Sequence, residues 1–201
     1  MVMALALLSG CASVMRNEVI AFHDWPTDMQ DKSYVFERKP TRENNLEYQR
    51  YENLLRGELQ RLGFTEAQTP RTANLKVTLD YRIDARDVKV VQPVYADPSW
   101  PYYPYYGPRW RGYYGPFYDP FWYAPPVVVG YRENQYQLFQ RQLNILITRS
   151  KDGKNLFDVT VTSDGTNGSL AFAMPYMIRS ALTDFPGKSG VPHQIDIKIK
   201  E

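Results

Sequence analysis

The chain has 201 residues, with 24 Lys and Arg against 22 Asp and Glu and a formal net charge of +2. Such a balance argues against a nucleic-acid binder, which shows a clustered basic face, and no apolar stretch approaches the roughly 20 residues of a membrane-spanning helix. A single cysteine, Cys11, excludes an intrachain disulfide, and the length suffices for one domain with a real core.

At the start of the chain, Leu8-Ser9-Gly10-Cys11 closes an uncharged apolar run and reads as a bacterial lipobox. On this reading residues 1–10 are a lipoprotein signal peptide and Cys11 is the diacylated first residue of the mature protein. Met1 to Leu8 is short for a signal and carries no Lys or Arg, so either translation starts further upstream or the match is fortuitous. Several acyl chains at about 0.8 kcal/mol per buried methylene would anchor a domain stably. The residues after Cys11 are Ala12 and Ser13 rather than aspartate, which implies delivery to the outer membrane.

The elements follow in a repeated order. Short strands are expected at Arg16 to His23 and at Ser33 to Phe36, separated by a turn carrying Asp24, Pro26, Asp28 and Asp31. Tyr48, Tyr51, Leu55, Leu59 and Leu62 recur every three or four residues, which predicts a helix from about Arg42 to Leu62 with Gly63 as its left-handed cap. Leu75, Val77, Leu79, Tyr81 and Ile83 then alternate with polar residues, the pattern of a strand with one buried face. In the second half, Leu143 to Ile147 and Phe157 to Val161 predict a hairpin about the turn 150–154. Met174, Met177, Ile178, Ala181, Leu182 and Phe185 predict a helix with Pro175 in its first turn, and Ile195, Ile197 and Ile199 a last strand. The expected fold is therefore α+β: two ββαβ halves sharing one mainly antiparallel sheet, with both helices on one face.

Between the halves, residues 93–126 break every periodic pattern. Of these 34 residues, 14 are aromatic and 9 are proline, so neither a helix nor a regular ladder is expected. The flanks, Asp87 to Val94 and Val127 to Tyr131, are β-prone and are expected to pair, extending the neighbouring strands into a long hairpin with the insert at its tip. Trp100, Tyr102, Tyr105, Trp110, Tyr113 and Trp122, with the cations Arg109 and Arg111, are the candidate partner-binding residues. Tyr and Trp supply rigid amphipathic contact area.

Residues with catalytic potential are sparse. His23 and His193 lie on separate expected strand edges without metal-site spacing. Asp80 and Asp84 share a strand face about 13 Å apart, beyond the roughly 5 to 9.5 Å of a glycosidase pair. Asp24, Asp28 and Asp31 lack the glycine and closing glutamate of a calcium loop. The stretch Asp164-Gly165-Thr166-Asn167-Gly168-Ser169 has no phosphate-loop lysine and reads as a turn with a helix cap. No catalytic residue, metal site or cofactor is expected.

The lipobox at Cys11, the strand Lys32-Ser33-Tyr34-Val35-Phe36, the helix end Leu62-Gly63-Phe64, Ala73-Asn74-Leu75-Lys76-Val77, the aromatic interruption and Asp184-Phe185-Pro186 together resemble a family of bacterial lipoproteins, domain-of-unknown-function family 4136. Two positions depart from its pattern: Asn74 stands where an aspartate is usual, and Val159-Thr160 replaces a tryptophan-containing turn. The resemblance implies a cell-envelope lipoprotein with no assigned reaction. The expectation is a non-enzymatic binding or scaffold protein, membrane-anchored through Cys11 and facing the periplasm, whose insert contacts an envelope protein or glycan. A structural or adhesive role through self-association or membrane contact is the alternative, and an envelope enzyme a distant one.

Overall fold

A computed structural model describes residues 13–95 and 128–199. Its strands are β1 (Val14–His23), β2 (Ser33–Phe36), β3 (Thr65–Glu66), β4 (Leu75–Tyr95), β5 (Val128–Arg149), β6 (Asn155–Gly165) and β7 (His193–Lys198), and its α-helices are α1 (Leu46–Arg61) and α2 (Leu170–Leu182). The seven strands form one mixed, mostly antiparallel sheet in the order β3-β2-β4-β5-β6-β1-β7. The fold class is α+β, as the periodicities imply.

The strand order interleaves the two ββαβ runs. β1 leaves its sequence neighbour β2 and lies between β6 and β7, antiparallel to both. β2 instead runs parallel to β3 and β4, with α1 in the connection that makes this possible. Strand alternation specifies which face of a strand is buried and leaves its neighbour open.

Both helices contact each other, and α2 also rests on β1, β6 and β7. The core is the single layer between them and one sheet face. α1 contributes Tyr48, Tyr51, Leu55 and Leu59, α2 contributes Met174, Met177, Ile178 and Leu182, and the sheet contributes Val19, Val77, Ile145, Val159 and their alternating neighbours.

The helix ends have local causes. A 3-10 turn at Pro40–Arg42 occupies the expected start of the first helix, and α1 begins at Leu46, where the Asn45 side chain accepts from the Tyr48 amide at 3.0 Å. Gly63, at φ +80°, donates to Gln60 O while the Phe64 amide reaches back to Leu59 O, each at 3.0 Å. α2 begins at Leu170 rather than beside Pro175, because Ser169 caps the Phe172 amide at 3.2 Å. Pro175 is thereby interior to the helix, not in its first turn.

The chain packs as two units, residues 1–86 with 137–201, and residues 87–136. Among the described residues, the hydrophobic core belongs to the first. β4 and β5 are sheet neighbours, and each continues into the second unit, so the flanks of the insert are strands as expected.

Candidate functional site

In the second unit the described residues are 87–95 of β4 and 128–136 of β5. Lys89 and Glu133 form an ion pair of 3.4 Å across them. Val129 and Tyr131 are 63% and 74% exposed, and Val91, Val94, Tyr95, Val128 and Tyr136 are exposed as well. None of these side chains reaches the core. A two-stranded ladder by itself has little independent stability in water, and contiguous exposed apolar surface marks contact sites.

Cys11 and the eight insert candidates, Trp100, Tyr102, Tyr105, Arg109, Trp110, Arg111, Tyr113 and Trp122, lie outside the described residues. The two histidines and the two β4 aspartates have structural partners. His23 Nε2 is 3.1 Å from Gly187 O, and His193 Nε2 is 3.5 Å from an Asp184 carboxylate oxygen. Asp80 pairs with Lys39 at 2.6 Å and Asp84 with Arg82 at 3.6 Å, which makes them parts of a solvated face.

Two aspartates of the first turn, Asp24 and Asp31, are likewise engaged. Asp24 accepts from Lys154, whose ammonium holds its carboxyl below the usual range. Asp31 accepts from the Ser33 amide at 2.9 Å, which depresses it in the same way. Among the described residues no cluster of three His, Cys, Asp or Glu side chains is placed to hold a metal ion. Of the 164–169 stretch, Asp164 and Gly165 end β6 instead of belonging to a turn, and in the link to α2 the Asn167 side chain accepts from the Ser169 amide at 2.8 Å.

One constellation has no counterpart among the sequence motifs. Asn17, Ser163 and Arg141 are buried polar residues on the helix-facing side of the sheet. Arg141 is paired with Ser163 in the β5–β6 register, and Asn17 lies one position beyond the Glu18–Thr162 pair of β1 and β6. Asn17 donates to Ser180 Oγ of α2 at 2.8 Å, and Ser163 Oγ donates to Arg16 O at 3.2 Å. Carrying the Leu143-Ile145-Ile147 alternation back by one step puts Arg141 on the inward face, and the Val19-Ala21 alternation does the same for Asn17. The signal was a polar residue in an apolar register, which motif spacing does not register. Burial pushes the Arg141 guanidinium below its ordinary pKa, while the Asp164 carboxylate opposes that shift.

A family profile described as Domain of unknown function (DUF4136) matches residues 19–187. Among solved structures, a PDZ domain protein from Parabacteroides distasonis aligns with a TM-score of 0.52 at 14% identity, over 93% of this chain and 40% of that one. The chain thus spans well under half of that protein's length, and the likeness is one of fold. A DUF4136 family protein from Bacteroides thetaiotaomicron aligns with a TM-score of 0.37 at 13% identity, over 84% of this chain and 96% of that one. No curated protein matches the chain.

Proposed function

Since the chain belongs to the DUF4136 family, which names no reaction, we propose from its own residues that it is an envelope lipoprotein, anchored through Cys11, that works by contact. The surface that makes the contact is the second unit, arms and insert together. The observation that carries this reading is the exposure of Val91, Val129 and Tyr131 on a two-stranded ladder that contributes nothing to the core. Exposed β-branched and aromatic side chains favour an apolar or ring-stacking partner. The lipobox supplies the membrane side of the arrangement.

Photo-crosslinkers placed at Val91 and Tyr131 in intact envelopes test the contact. A discrete crosslinked protein or glycan, lost when residues 97–124 are replaced by a short Gly-Ser linker, is the expected result. Crosslinks solely between copies of this chain would move the function to self-association, and no crosslink at either position would remove the second unit as a contact surface. Anchoring is tested separately: fatty-acid labelling and membrane retention should both disappear in Cys11→Ser.

A further inference from the structure

β7 ends the strand order, and among the described residues β1 is its one strand neighbour. The phase of that ladder is fixed. Val14 faces Lys198, so Ser13 faces Ile199, and the Ile199 amide donates to Ser13 O at 2.9 Å. Hydrogen bonding in an antiparallel ladder alternates residue by residue, so Ile195, Ile197 and Ile199 turn their backbone groups to β1. The amides and carbonyls of Gln194, Asp196 and Lys198 then point out of the edge of the sheet. An unpaired edge of this kind is a template for another strand.

The side chains of β7 sort by face. Ile195 and Ile199 pack against the core with the half-buried Ile197 between them, while Gln194, Asp196 and Lys198 are exposed on the other face. Charged residues on an edge strand ordinarily keep a second strand away. Here the two charges have opposite signs and stand two residues apart, which makes the strand complementary to itself. A second β7 laid antiparallel along the free edge must match residues 194, 196 and 198 with one another, because they carry the free backbone groups. A twofold axis at Ile195 sets Lys198 against Pro192, which has no amide proton. An axis at Asp196 sets two carboxylates directly opposite each other, which is destabilising. An axis at Ile197 pairs Asp196 with Lys198 twice, joins the two Ile197 side chains in the closer non-hydrogen-bonded position, and sets Ile195 against Ile199.

We propose that β7 is a self-association edge, through which two copies of the chain join antiparallel over residues 195–199 about a twofold axis at Ile197. Each Asp196–Lys198 pair exchanges both of its backbone hydrogen bonds across the seam. Arg16 and Asp196 are 3.5 Å apart within one copy, and both are well exposed, so the Asp196 carboxylate retains room for a second cation. Charges then alternate across the exposed face, from Arg16 to Asp196 to Lys198 of the second copy. The seam is short, so the association is weak and reversible. β7 belongs to the first unit, so this association is independent of the contact surface formed by the second, and either can fail without the other.

Disulfide trapping of the purified full chain tests it, in a Cys11→Ser background where each variant carries one thiol. Opposed residues of an antiparallel pair have Cα atoms about 4.5 to 5.5 Å apart, within reach of a disulfide. Ile197→Cys is expected to give a covalent dimer under mild oxidation. Mixing Asp196→Cys chains with Lys198→Cys chains should give the mixed dimer about fivefold or more above either self-dimer, because only the mixed thiols face each other. Lys198→Glu added to the Ile197→Cys chain should cut trapping by about threefold or more, and Asp196→Lys added to both should restore it. A self-dimer of Asp196→Cys exceeding the mixed one would overturn the axis at Ile197. Absence of the mixed dimer would overturn the proposal, and since it rests on exposed positions this holds even where Ile197→Cys perturbs the fold.

Discussion

Glu52 sits in the inward stripe of α1, with its side chain 1% exposed, and it is neutralised by a two-point contact in which Arg38 Nε and Nη2 donate to its two oxygens at 2.8 and 2.6 Å. Arg38→Ala leaves that carboxylate buried and alone, at a cost of about 3 kcal/mol. The paired change Arg38→Met with Glu52→Leu should recover most of it, and urea unfolding of the two variants makes the comparison. Tyr34 carries a pH dependence. Burial, assisted by the Glu66 charge, pushes its phenol up to about 12 from an ordinary 10.0. Above the ordinary value the unfolded chain loses this proton while the folded chain keeps it. The contribution is thus intact below about pH 10 and declines as pH rises toward about 12, by on the order of 2 kcal/mol. Unfolding midpoints taken between about pH 9 and about pH 12 should fall less steeply in Tyr34→Phe than in the parent chain, because the ionisable group has been removed.

At the scale of elements, caps decide where the helices begin more sharply than their apolar stripes do. α2 carries Pro175 in its interior, where a backbone donor is missing, so its first turn leans on Ser169 and the Asn167 turn. Ser169→Ala should cost about 1 kcal/mol and reduce amide protection at residues 170–173 before the rest of the helix, as hydrogen exchange would register. The stripes themselves were legible. Each apolar residue at the spacing expected for α1 between Tyr48 and Leu59 is buried, and the alternation in β4, β5 and β6 points the expected side chains inward. Phe185, read as part of the second stripe, lies beyond α2 and packs instead against Trp25, Phe64 and Phe157, with ring centroids 4.8, 5.6 and 4.7 Å away. Periodicity extends a helix through any apolar residue at the right spacing, whereas Pro186 and Gly187 end it earlier.

For the whole molecule, the division of labour between the two units has a direct consequence. Among the described residues, every core side chain belongs to the first unit. Joining Arg86 to Gln137 through a two-residue Asn-Gly turn should therefore leave the thermal midpoint within a few degrees of the full chain, roughly the effect of 1 kcal/mol or less. A large loss of stability would mean that the arms support the sheet after all. The same variant should lose the contacts proposed for the second unit.

By itself the sequence determined the elements, their inward faces and the α+β class, because these follow from periods of 2 and 3.6 residues that are written locally. It also marked the insert and the lipobox as the segments to explain. Only the tertiary structure decided that β1 pairs with β6 and β7 rather than with β2, since pairing depends on which surfaces meet across a long chain separation. It likewise decided that Asn17, Ser163 and Arg141 share one row. Asn17 precedes Arg141 by 124 positions in the chain, and Ser163 by more. Neither periodicity nor motif spacing reaches that far. A charge becomes chemically conspicuous only when the fold removes its water, and desolvation is a property of the packed structure rather than of the residue.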